Sequence, residues 1–218
     1  MSEEKSFVEL PTYTNPDIKF LIDEDDLDIM DGYNVLWNKN DNKLSIWKDG
    51  NQPFLHRLIW EKHYGTITNE IDHKNRNRLD NRLENLREAT RQENCCNRKK
   101  FKGNHTSNFK GVFLYKQNKK WTCQIQVDKK KIHLGYYDSE LDAAKVYNIF
   151  ASYFFNEYAC LNEIPEEDNT YSFELLNQIM KRIKFLSERK KEPVHIHLHF
   201  HIDNKEGVCN IYNTSQDQ

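Results

Sequence analysis

Paired cysteines, long apolar runs and a secretory leader are all missing from this chain of 218 residues. Its five cysteines form an odd set without a Cys-x-x-Cys spacing. That argues against a disulfide framework or a zinc ribbon and favours a reducing intracellular compartment. No apolar run approaches the roughly 20 residues that span a bilayer, and the first residues lack the basic-then-apolar pattern of a signal peptide. These absences predict a soluble intracellular protein with no membrane partner.

The chain is poor in apolar residues and rich in charge. Hydrophobic residues make up 37% and charged residues 30% of the sequence, which favours small domains over one large core. The net charge of −2 hides an asymmetry, because residues 51–137 hold 19 Lys and Arg against 8 Asp and Glu. The segments on either side carry −7 and −6. A basic middle between acidic ends is typical of a protein that binds a polyanion, although a solvated lysine-rich surface explains the charge equally well.

Apolar spacing and turn residues predict the elements of the first half. Residues 1–18 are polar and are predicted to lack fixed structure, whereas Phe20–Ile22 reads as a strand that leads into a helical turn. Residues 33–54 are predicted to form a hairpin, and Leu55–Tyr64 a helix that Gly65 ends. A strand, a polar loop, a second strand and a helix started by a Thr-x-x-Glu capping box should follow. Their predicted bounds are Ile71–His73, 74–82, Leu83–Leu86 and Thr90 to about Arg98.

The second half predicts a small sheet, a long helix and a separate tail. Three strands and one helix capped by Asp138-Ser139 are expected at Gly111–Tyr115, Trp121–Val127, Lys131–Tyr137 and Glu140–Asn156. In the tail, an amphipathic helix over Phe173–Lys190 precedes an alternating strand, Val194–Ile202, and its return, Val208–Tyr212.

The alternating strand of the tail carries four histidines, at positions 195, 197, 199 and 201. Neighbouring ones would lie about 6.6 Å apart along a strand, too far for all four to bind one ion. A packed or partner-facing strand is therefore favoured over a metal site, and the tail can act as a dimerisation element.

Asp72 and His73 stand together at the end of a predicted strand, within a basic loop rich in asparagine. Hydrolysis of a phosphodiester needs a base for the water, charge neutralisation at the phosphate and help for the leaving oxygen. Mg²⁺ keeps several waters, so one carboxylate and the amide oxygen of Asn94 are a sufficient protein contribution. Asn85 would brace the loop. An Asp-His pair alone is more often a surface turn, and it is the added asparagines and capping box that favour a site.

Motifs at five places together resemble the HNH homing-type endonucleases, which have the ββα-metal fold. They are His56-Arg57-Leu58, Asp72-His73, Leu79-Asp80-Asn81-Arg82, Asn85-Leu86-Arg87 and Asn94-Cys95-Cys96-Asn97. The resemblance implies that His73 is the general base, that Asp72 and Asn94 bind the metal and that the catalytic-site residue Asn85 orients the loop. Asn94 stands where the family name implies a histidine, which argues against zinc and favours Mg²⁺ or Mn²⁺. His56 and His63 match no catalytic position and are predicted to be structural.

A second set of motifs resembles the plant ethylene-response-factor (APETALA-type) DNA-binding domain from about Thr106 to Asn162. They are Phe109-Lys110-Gly111-Val112, Lys120-Trp121, His133-Leu134-Gly135-Tyr136-Tyr137 and Asp142-Ala143-Ala144-Lys145-Val146-Tyr147. In that family a sheet face enters the major groove. The matching groove-facing set is Lys110, Phe113, Tyr115, Gln124, Gln126, Lys131, His133 and Tyr136. Gln and aromatic residues replace the arginines and tryptophans of the plant domains, so target and affinity do not carry over. Trp121 reads better as a core anchor.

Arginines crowd the Asp-His segment and predict contacts to DNA phosphates, which supply affinity without sequence information. They are Arg76, Arg78, Arg82, Arg87 and Arg91. Some of them will simply be solvated.

The sequence thus predicts an α+β protein: a ββα-metal HNH nuclease module, then a three-stranded antiparallel sheet packed on one helix, then a helix–β-hairpin tail. The predicted segments are 1–18 (flexible), 19–98 (nuclease module with its hairpin lead-in), 99–108 (basic linker), 109–162 (DNA-binding domain) and 163–218 (possible oligomerisation element). The predicted function is a site-selective endonuclease that cuts double-stranded DNA with a single divalent ion. It would act wherever its target DNA resides, in the cytoplasm or nucleus of a host cell, and be encoded by a virus or phage.

Two other functions fit parts of the pattern. One is a non-catalytic, sequence-specific DNA-binding regulator whose nuclease module has decayed, although the intact Asp72, His73, Asn85 and Asn94 set speaks against it. The other is an assembly protein that binds a partner, or a second copy as a homodimer, through its tail.

Overall fold

A computed structural model describes residues 6–48, 50–101, 103–190, 199–203 and 208–212, and side chains only up to residue 188. The chain forms two compact units, Met1–Arg98 and Lys99–Gln218. Both combine helices with small antiparallel sheets, in agreement with the predicted α+β class. Within the described residues, no helix is long and apolar enough to cross a membrane.

Two hairpins open the first unit. Strand β1 (Phe7–Pro11) pairs antiparallel with β2 (Lys19–Asp23), which runs into a 3-10 turn over Glu24–Met30. Strands β3 (Val35–Asn38) and β4 (Lys43–Ile46) form the second hairpin, as predicted.

The prediction that residues 1–18 lack fixed structure is wrong from residue 7 onward. Strand β1 pairs along its whole length with β2, and its side chains of Val8 and Leu10 pack against the core of the unit. The connecting turn is closed by hydrogen bonds of Thr12, whose backbone N–H donates to Ile18 O at 2.9 Å. The first five residues of the prediction lie outside the described part of the chain.

Helix α1 (Leu55–Tyr64) ends at Gly65, which has φ = 82°, as the sequence predicts. Strands β5 (Glu70–His73) and β6 (Leu86–Ala89) then pair antiparallel, and helix α2 (Arg91–Cys96) follows. Its capping box is present: Thr90 Oγ1 accepts from the Glu93 N–H, and the Glu93 carboxylate accepts from the Thr90 N–H.

The second predicted strand of this segment starts later than expected. Leu83–Asn85 forms a 3-10 turn, and the strand begins only at Leu86. Side-chain acceptors explain the turn, because Asp23 Oδ2 accepts the Leu83 N–H at 2.8 Å. Asn85 also turns inward and donates to Asp80 O at 2.7 Å. Such side-chain bonds to the backbone compete with a sheet ladder.

The core of the first unit joins both hairpins to α1 and the β5–β6 pair. Its buried side chains are Phe20, Ile22, Val35, Leu44, Ile46, Leu55, Ile59, Ile71 and Leu86. Because Ile71 and Leu86 belong to this core, the end of β5 is anchored on apolar packing.

The second unit has a three-stranded antiparallel sheet in the order β7–β8–β9. The strands are β7 (Val112–Tyr115), β8 (Lys120–Val127) and β9 (Lys130–Tyr137), and helix α3 (Glu140–Phe155) packs against the sheet. Ser139 caps α3, accepting from the N–H groups of Leu141 and Asp142, and the predicted sheet on one helix is confirmed. The register sets Trp121 opposite Leu114 and buried Tyr137, on the helix side of the sheet.

The tail contains helix α4 (Phe173–Lys190), followed by strands β10 (His199–Asp203) and β11 (Val208–Tyr212), which pair antiparallel. Helix α4 buries Leu175, Ile179 and Leu186 along one side. The predicted alternating strand begins at Val194, and its first five residues fall outside the described part of the chain.

Gly111 lets the start of β7 approach α3. It has φ = +75°, and a Cβ built there would lie 2.1 Å from the Tyr147 ring and 2.7 Å from Gln124 O. Only glycine satisfies both conditions without strain.

Gly111→Ala should therefore destabilise the protein more than backbone strain alone would. We expect about 1 kcal/mol from the left-handed conformation, and a further 1–3 kcal/mol, approximately, from overpacking against Tyr147. The matched control is Gly50→Ala, because Gly50 has φ = +78° and nothing within 4 Å of a built Cβ. Denaturant unfolding of both variants measures the difference, and equal losses would contradict the close approach.

Candidate active site

Strand β5 separates Asp72 and His73 onto its two faces, as successive residues of a strand must be. Asp72 pairs with Arg87 of β6, and His73 pairs with Leu86. Both side chains are buried, with relative exposures of 7%. The site therefore has a carboxylate side, covered by α2, and a histidine side, turned toward α1.

Three donors converge on one oxygen of Asp72. Arg87 Nη2 and Nε donate to Asp72 Oδ2 at 2.9 and 3.1 Å, and Asn97 Nδ2 donates to the same atom at 2.9 Å. Asn97 Nδ2 also lies 2.9 Å from His73 O. Such charge-assisted bonds are the strong ones among protein hydrogen bonds, and they leave Oδ1 as the oxygen that can face a cation.

Asn94 contacts Glu70 on the same side of β5. Its Nδ2 donates to Glu70 Oε2, which turns the amide oxygen of Asn94 away from that carboxylate. In the structure Asn94 therefore donates a hydrogen bond to Glu70, and Asn97 donates one to Asp72. The sequence analysis paired Asn94 with Asp72. Glu70 and Asn97 were both missed. Periodicity could have found them, because Asn97 follows Asn94 by one helical turn and Glu70 precedes Asp72 by one strand repeat.

The donors on this side suit a hard cation. Within the described residues, no group of three or more His, Cys, Asp or Glu side chains is arranged to hold a metal. A divalent ion would therefore rely on one carboxylate, an amide oxygen and water, the oxygen-only set that Mg²⁺ accepts. That set contains no thiolate. Cys95 and Cys96 are free thiols, the first exposed and the second buried. The residues fit Mg²⁺ or Mn²⁺ better than zinc.

On the other side, the His73 ring lies between Asn81 and His56. His73 Nε2 is 3.3 Å from Asn81 Oδ1, and Asn81 Nδ2 donates to Arg78 O at 3.2 Å, which fixes the orientation of the amide. Nε2 is then the protonated ring nitrogen, and Nδ1 keeps its lone pair. Burial lowers the pKa of His73 from its usual value, against the opposing effects of Asn81 and Asp72. The ring is neutral at physiological pH and can accept a proton.

The His56 ring packs beside the His73 ring. The two ring centroids are 5.2 Å apart, and His56 stacks on Phe54 at 5.7 Å with an interplanar angle of 19°. Burial, reinforced by the neighbouring His73, lowers the pKa of His56 to about 2. A ring that stays neutral and buried fits the structural role predicted for it. His63 instead contacts the buried carboxylate of Asp26 at 2.7 Å.

Side-chain amides brace the polar loop between β5 and β6. Asn85 Oδ1 accepts the Asn75 N–H at 3.0 Å, while Asn85 Nδ2 donates to Asp80 O. Asn75 Nδ2 in turn donates to Asp80 Oδ2 at 2.7 Å. These contacts match the bracing that the sequence analysis expected of Asn85. They hold the chain that follows His73 without an apolar core of its own.

The five arginines predicted to contact phosphates have different surroundings. Arg87 pairs with Asp72, and Arg82 pairs with Asp80 and Glu84 at 2.8 and 2.7 Å. Arg78 donates to Asp41 O at 2.6 Å in the β3–β4 turn. Arg76 has φ = 66° within the loop, and Arg91 begins α2 with an exposed side chain. The ion pairs of Arg82 and Arg87 show structural roles for these two, whether or not they also meet DNA.

In the second unit, the predicted groove-facing side chains share the sheet face turned away from α3. The register aligns Phe113 with Thr122 and Tyr136, Gln124 with His133, and Gln126 with Lys131. Tyr136 lies 5.5 Å from Tyr115 and 4.6 Å from His133, ring to ring. Lys110 precedes the sheet, and its backbone is held by the side chain of Asn162. The face combines amides, aromatic rings and exposed cationic residues.

Comparisons with known proteins give one family match and one relative. Residues 54–95 match the family model described as HNH endonuclease, a segment that contains Asp72, His73, Asn85 and Asn94. The chain is also 35% identical over 115 residues to a protein of Acanthamoeba polyphaga mimivirus named an uncharacterized HNH endonuclease. That alignment covers 51% of this chain and 56% of the relative, so the chain spans about half of the relative's length. No solved structure matches significantly. The family match indicates a nuclease, a hydrolase type that generally uses a divalent metal ion.

The Asp72–Arg87 contact predicts a large effect on stability. Arg87→Met leaves the buried carboxylate without its cation, and such a change costs about 3–5 kcal/mol. The control is Lys19→Met in the exposed Lys19–Glu9 pair, where about 0–1 kcal/mol is expected. Denaturant unfolding compares the two. A small loss for Arg87→Met would mean that this arginine is available for DNA instead.

Proposed function

We propose that this protein is a metal-dependent DNA endonuclease of the HNH type, with a ββα-metal site formed by β5, β6 and α2. The observation that carries the proposal is the adjacency of Asp72 and His73 at the end of β5, inside the segment that matches the family model. One face supplies the carboxylate of Asp72 and the other the imidazole of His73. Those are the two groups that metal-assisted hydrolysis requires.

In the proposed reaction, His73 Nδ1 takes a proton from a water molecule, and the water oxygen attacks phosphorus. The bond to the 3′ oxygen breaks, and that oxygen leaves with a proton from solvent. Asn81 holds the protonated Nε2, so the acceptor nitrogen faces the water. Asn85 keeps the loop closed behind the base. By family resemblance the products carry 5′-phosphate and 3′-hydroxyl ends.

A Mg²⁺ or Mn²⁺ ion held by Asp72 and Asn94 would neutralise charge on the phosphate and help the leaving oxygen. Arg87 and Asn97 would orient the Asp72 carboxylate through their hydrogen bonds to Oδ2. Glu70 orients the Asn94 amide from behind.

The second unit is proposed to select the site on double-stranded DNA, as a homing-type enzyme requires. Its open sheet face presents Gln124 and Gln126, whose amides can read base edges in a groove wide enough for a β-ribbon. Lys131 and the aromatic side chains beside it supply backbone and stacking contacts. A homodimer through the tail and an intracellular, virus-encoded origin belong to the same proposal.

His73→Ala should abolish cleavage while leaving DNA binding intact. Loss of a general base lowers the rate by about 10²–10⁴-fold. Supercoiled plasmids of several sequences, incubated with Mg²⁺ or Mn²⁺, give the readout in nicked and linear product. His105→Ala is the control, because His105 is exposed and lies in the other unit.

The outcomes of the plasmid assay separate the candidate functions. Wild-type protein that shifts DNA in a gel but cuts none of the plasmids would support the DNA-binding regulator. Protein that neither shifts nor cuts would remove both DNA functions.

Lys131→Ala should weaken DNA binding, whereas Lys130→Ala should leave it nearly unchanged. The two lysines are neighbours on β9 and exposed, but they point to opposite faces of the sheet. Removing one phosphate contact should cost several-fold in affinity and lower the dependence on salt by about one unit of slope. Fluorescence anisotropy with labelled duplex DNA measures both, and equal effects at the two positions would argue against the open face.

A further inference from the structure

We propose that Lys43 and Arg57 form a second phosphate-binding site, which grips the DNA backbone on the histidine side of the active site. Lys43 was not singled out by its sequence pattern, and Arg57 appeared only within the His56-Arg57-Leu58 motif, with no role given to it. The two residues come from different elements, β4 and α1. The inference rests on the proposed function, because its ligand is the backbone of the same DNA.

A column of rings connects Lys43 to His73. The ammonium of Lys43 lies 4.4 Å from the centroid of the Phe54 ring, Phe54 stacks on His56, and His56 meets His73. The Lys43 ammonium therefore lies at one end of this row of rings, and His73, the proposed base, lies at the other end. A phosphate held at Lys43 would have a defined offset from the phosphate attacked beside His73.

Three positive charges gather around this column. Burial lowers the pKa of Lys43, the charge of Arg78 lowers it further, and Arg57 acts in the same sense, while Asp41 and Glu70 oppose them. The pKa of His56 is also lowered by Lys43, Arg57 and Arg78, after burial and His73. All three cations therefore lie close enough to the His56 ring to act on it electrostatically.

The contacts of Lys43 and Arg78 described here are with neutral groups, which do not cancel the positive charge. Lys43 faces an aromatic ring, and Arg78 donates to the carbonyl oxygens of Asp41 and Asn42. Like charges held close together are unfavourable, and a cleft lined by one sign attracts the opposite sign. Asp41 and Glu70 lie near Lys43 and offset part of this charge, and the net positive remainder favours a phosphate. Arg78 is anchored to the hairpin turn, so Lys43 and Arg57 are the two that can close on a phosphate.

The start of α1 adds to the positive potential. No side-chain cap and no acidic residue occupy its first turn, and Arg57 belongs to that turn. The unsatisfied N–H groups and the helix dipole favour an anion there. This supports the cation pair and would not make a site without it.

The test measures DNA binding apart from cleavage. Full-length protein with His73→Ala is titrated against a fluorescein-labelled DNA duplex over a range of salt concentrations. A random duplex suffices, because phosphate contacts do not depend on sequence. In this background we expect Lys43→Met and Arg57→Gln each to weaken binding by about tenfold and to reduce the salt slope by about one. The charge-matched control is Lys39→Met, at the exposed turn of the same hairpin, and should change neither.

Conservative variants separate a phosphate contact from a structural role. Lys43→Arg and Arg57→Lys keep the charge and should restore most of the salt slope. Variants that lower the unfolding midpoint, or the affinity, without changing the slope would overturn the inference.

The two proposals can fail separately. Wild-type protein that cuts plasmids, together with Lys43→Met and Arg57→Gln variants that bind like their parent, would remove only the second phosphate site. Protein that neither binds nor cuts DNA would remove the endonuclease proposal, and this inference with it.

Discussion

The buried contact of Asp72 with Arg87 and Asn97 is the interaction on which the candidate site depends. It joins β5, β6 and the end of α2 through a single carboxylate oxygen. Helix α2 spans only Arg91–Cys96, too short to be stable by itself. Its position over β5 therefore comes from its capping box at one end and from Asn97 at the other. The apolar packing of Ile71 and Leu86 anchors the strand end, and the Asp72–Asn97 contact adds a link between that strand end and the end of α2.

Polar contacts are a costly way to build such a site. A buried ion pair usually stabilises a fold no better than apolar residues of the same size. The loop between β5 and β6 shows the same choice, since Asn75, Asp80 and Asn85 brace it with hydrogen bonds. Such networks define one geometry when every member is satisfied. We infer that the first unit uses these polar contacts, despite their small net contribution to stability, because the chain around His73 must be rigid and also polar enough for a phosphate to enter.

Local rules explain what could be predicted from the sequence. The capping box of Thr90 and Glu93, the end of α1 at Gly65 and the alternation of Trp121–Val127 each depend on neighbours in the chain, and the structure has all three. Strand β1 was missed because residues 1–18 are polar overall and contain Pro11 and Pro16, although Val8 and Leu10 pack against the core where the strand pairs with β2. The turn at Leu83 likewise depends on Asp23, sixty residues earlier.

The same distinction, between features set by neighbours in the chain and features set by distant contacts, applies to the candidate site. Asp72, His73, Asn85 and Asn94 stand out by type and spacing, and Asn85 braces the loop as expected. The partners of the first two could not be assigned, because Asn97 and Arg87 reach Asp72 only through the packing of α2 and the strand register. Lys43 and Arg57 were missed for the same reason. Their shared location arises from the core that sets the β3–β4 hairpin against α1.

The alternation of β5 also limits how a substrate can lie. Asp72 and His73 point to opposite faces, so a phosphate that meets both must cross the end of the strand. On one side the carboxylate favours a cation. On the other, burial lowers the pKa of His73, and the charge of Arg78 acts in the same sense, while Asn81, Asp72 and Asp80 oppose them. A cation placed on the histidine side would add to charges already there, whereas on the carboxylate side it is compensated. In the proposed reaction the strand would therefore keep the metal on Asp72 and the base His73 apart, and the phosphate would be the group that joins them.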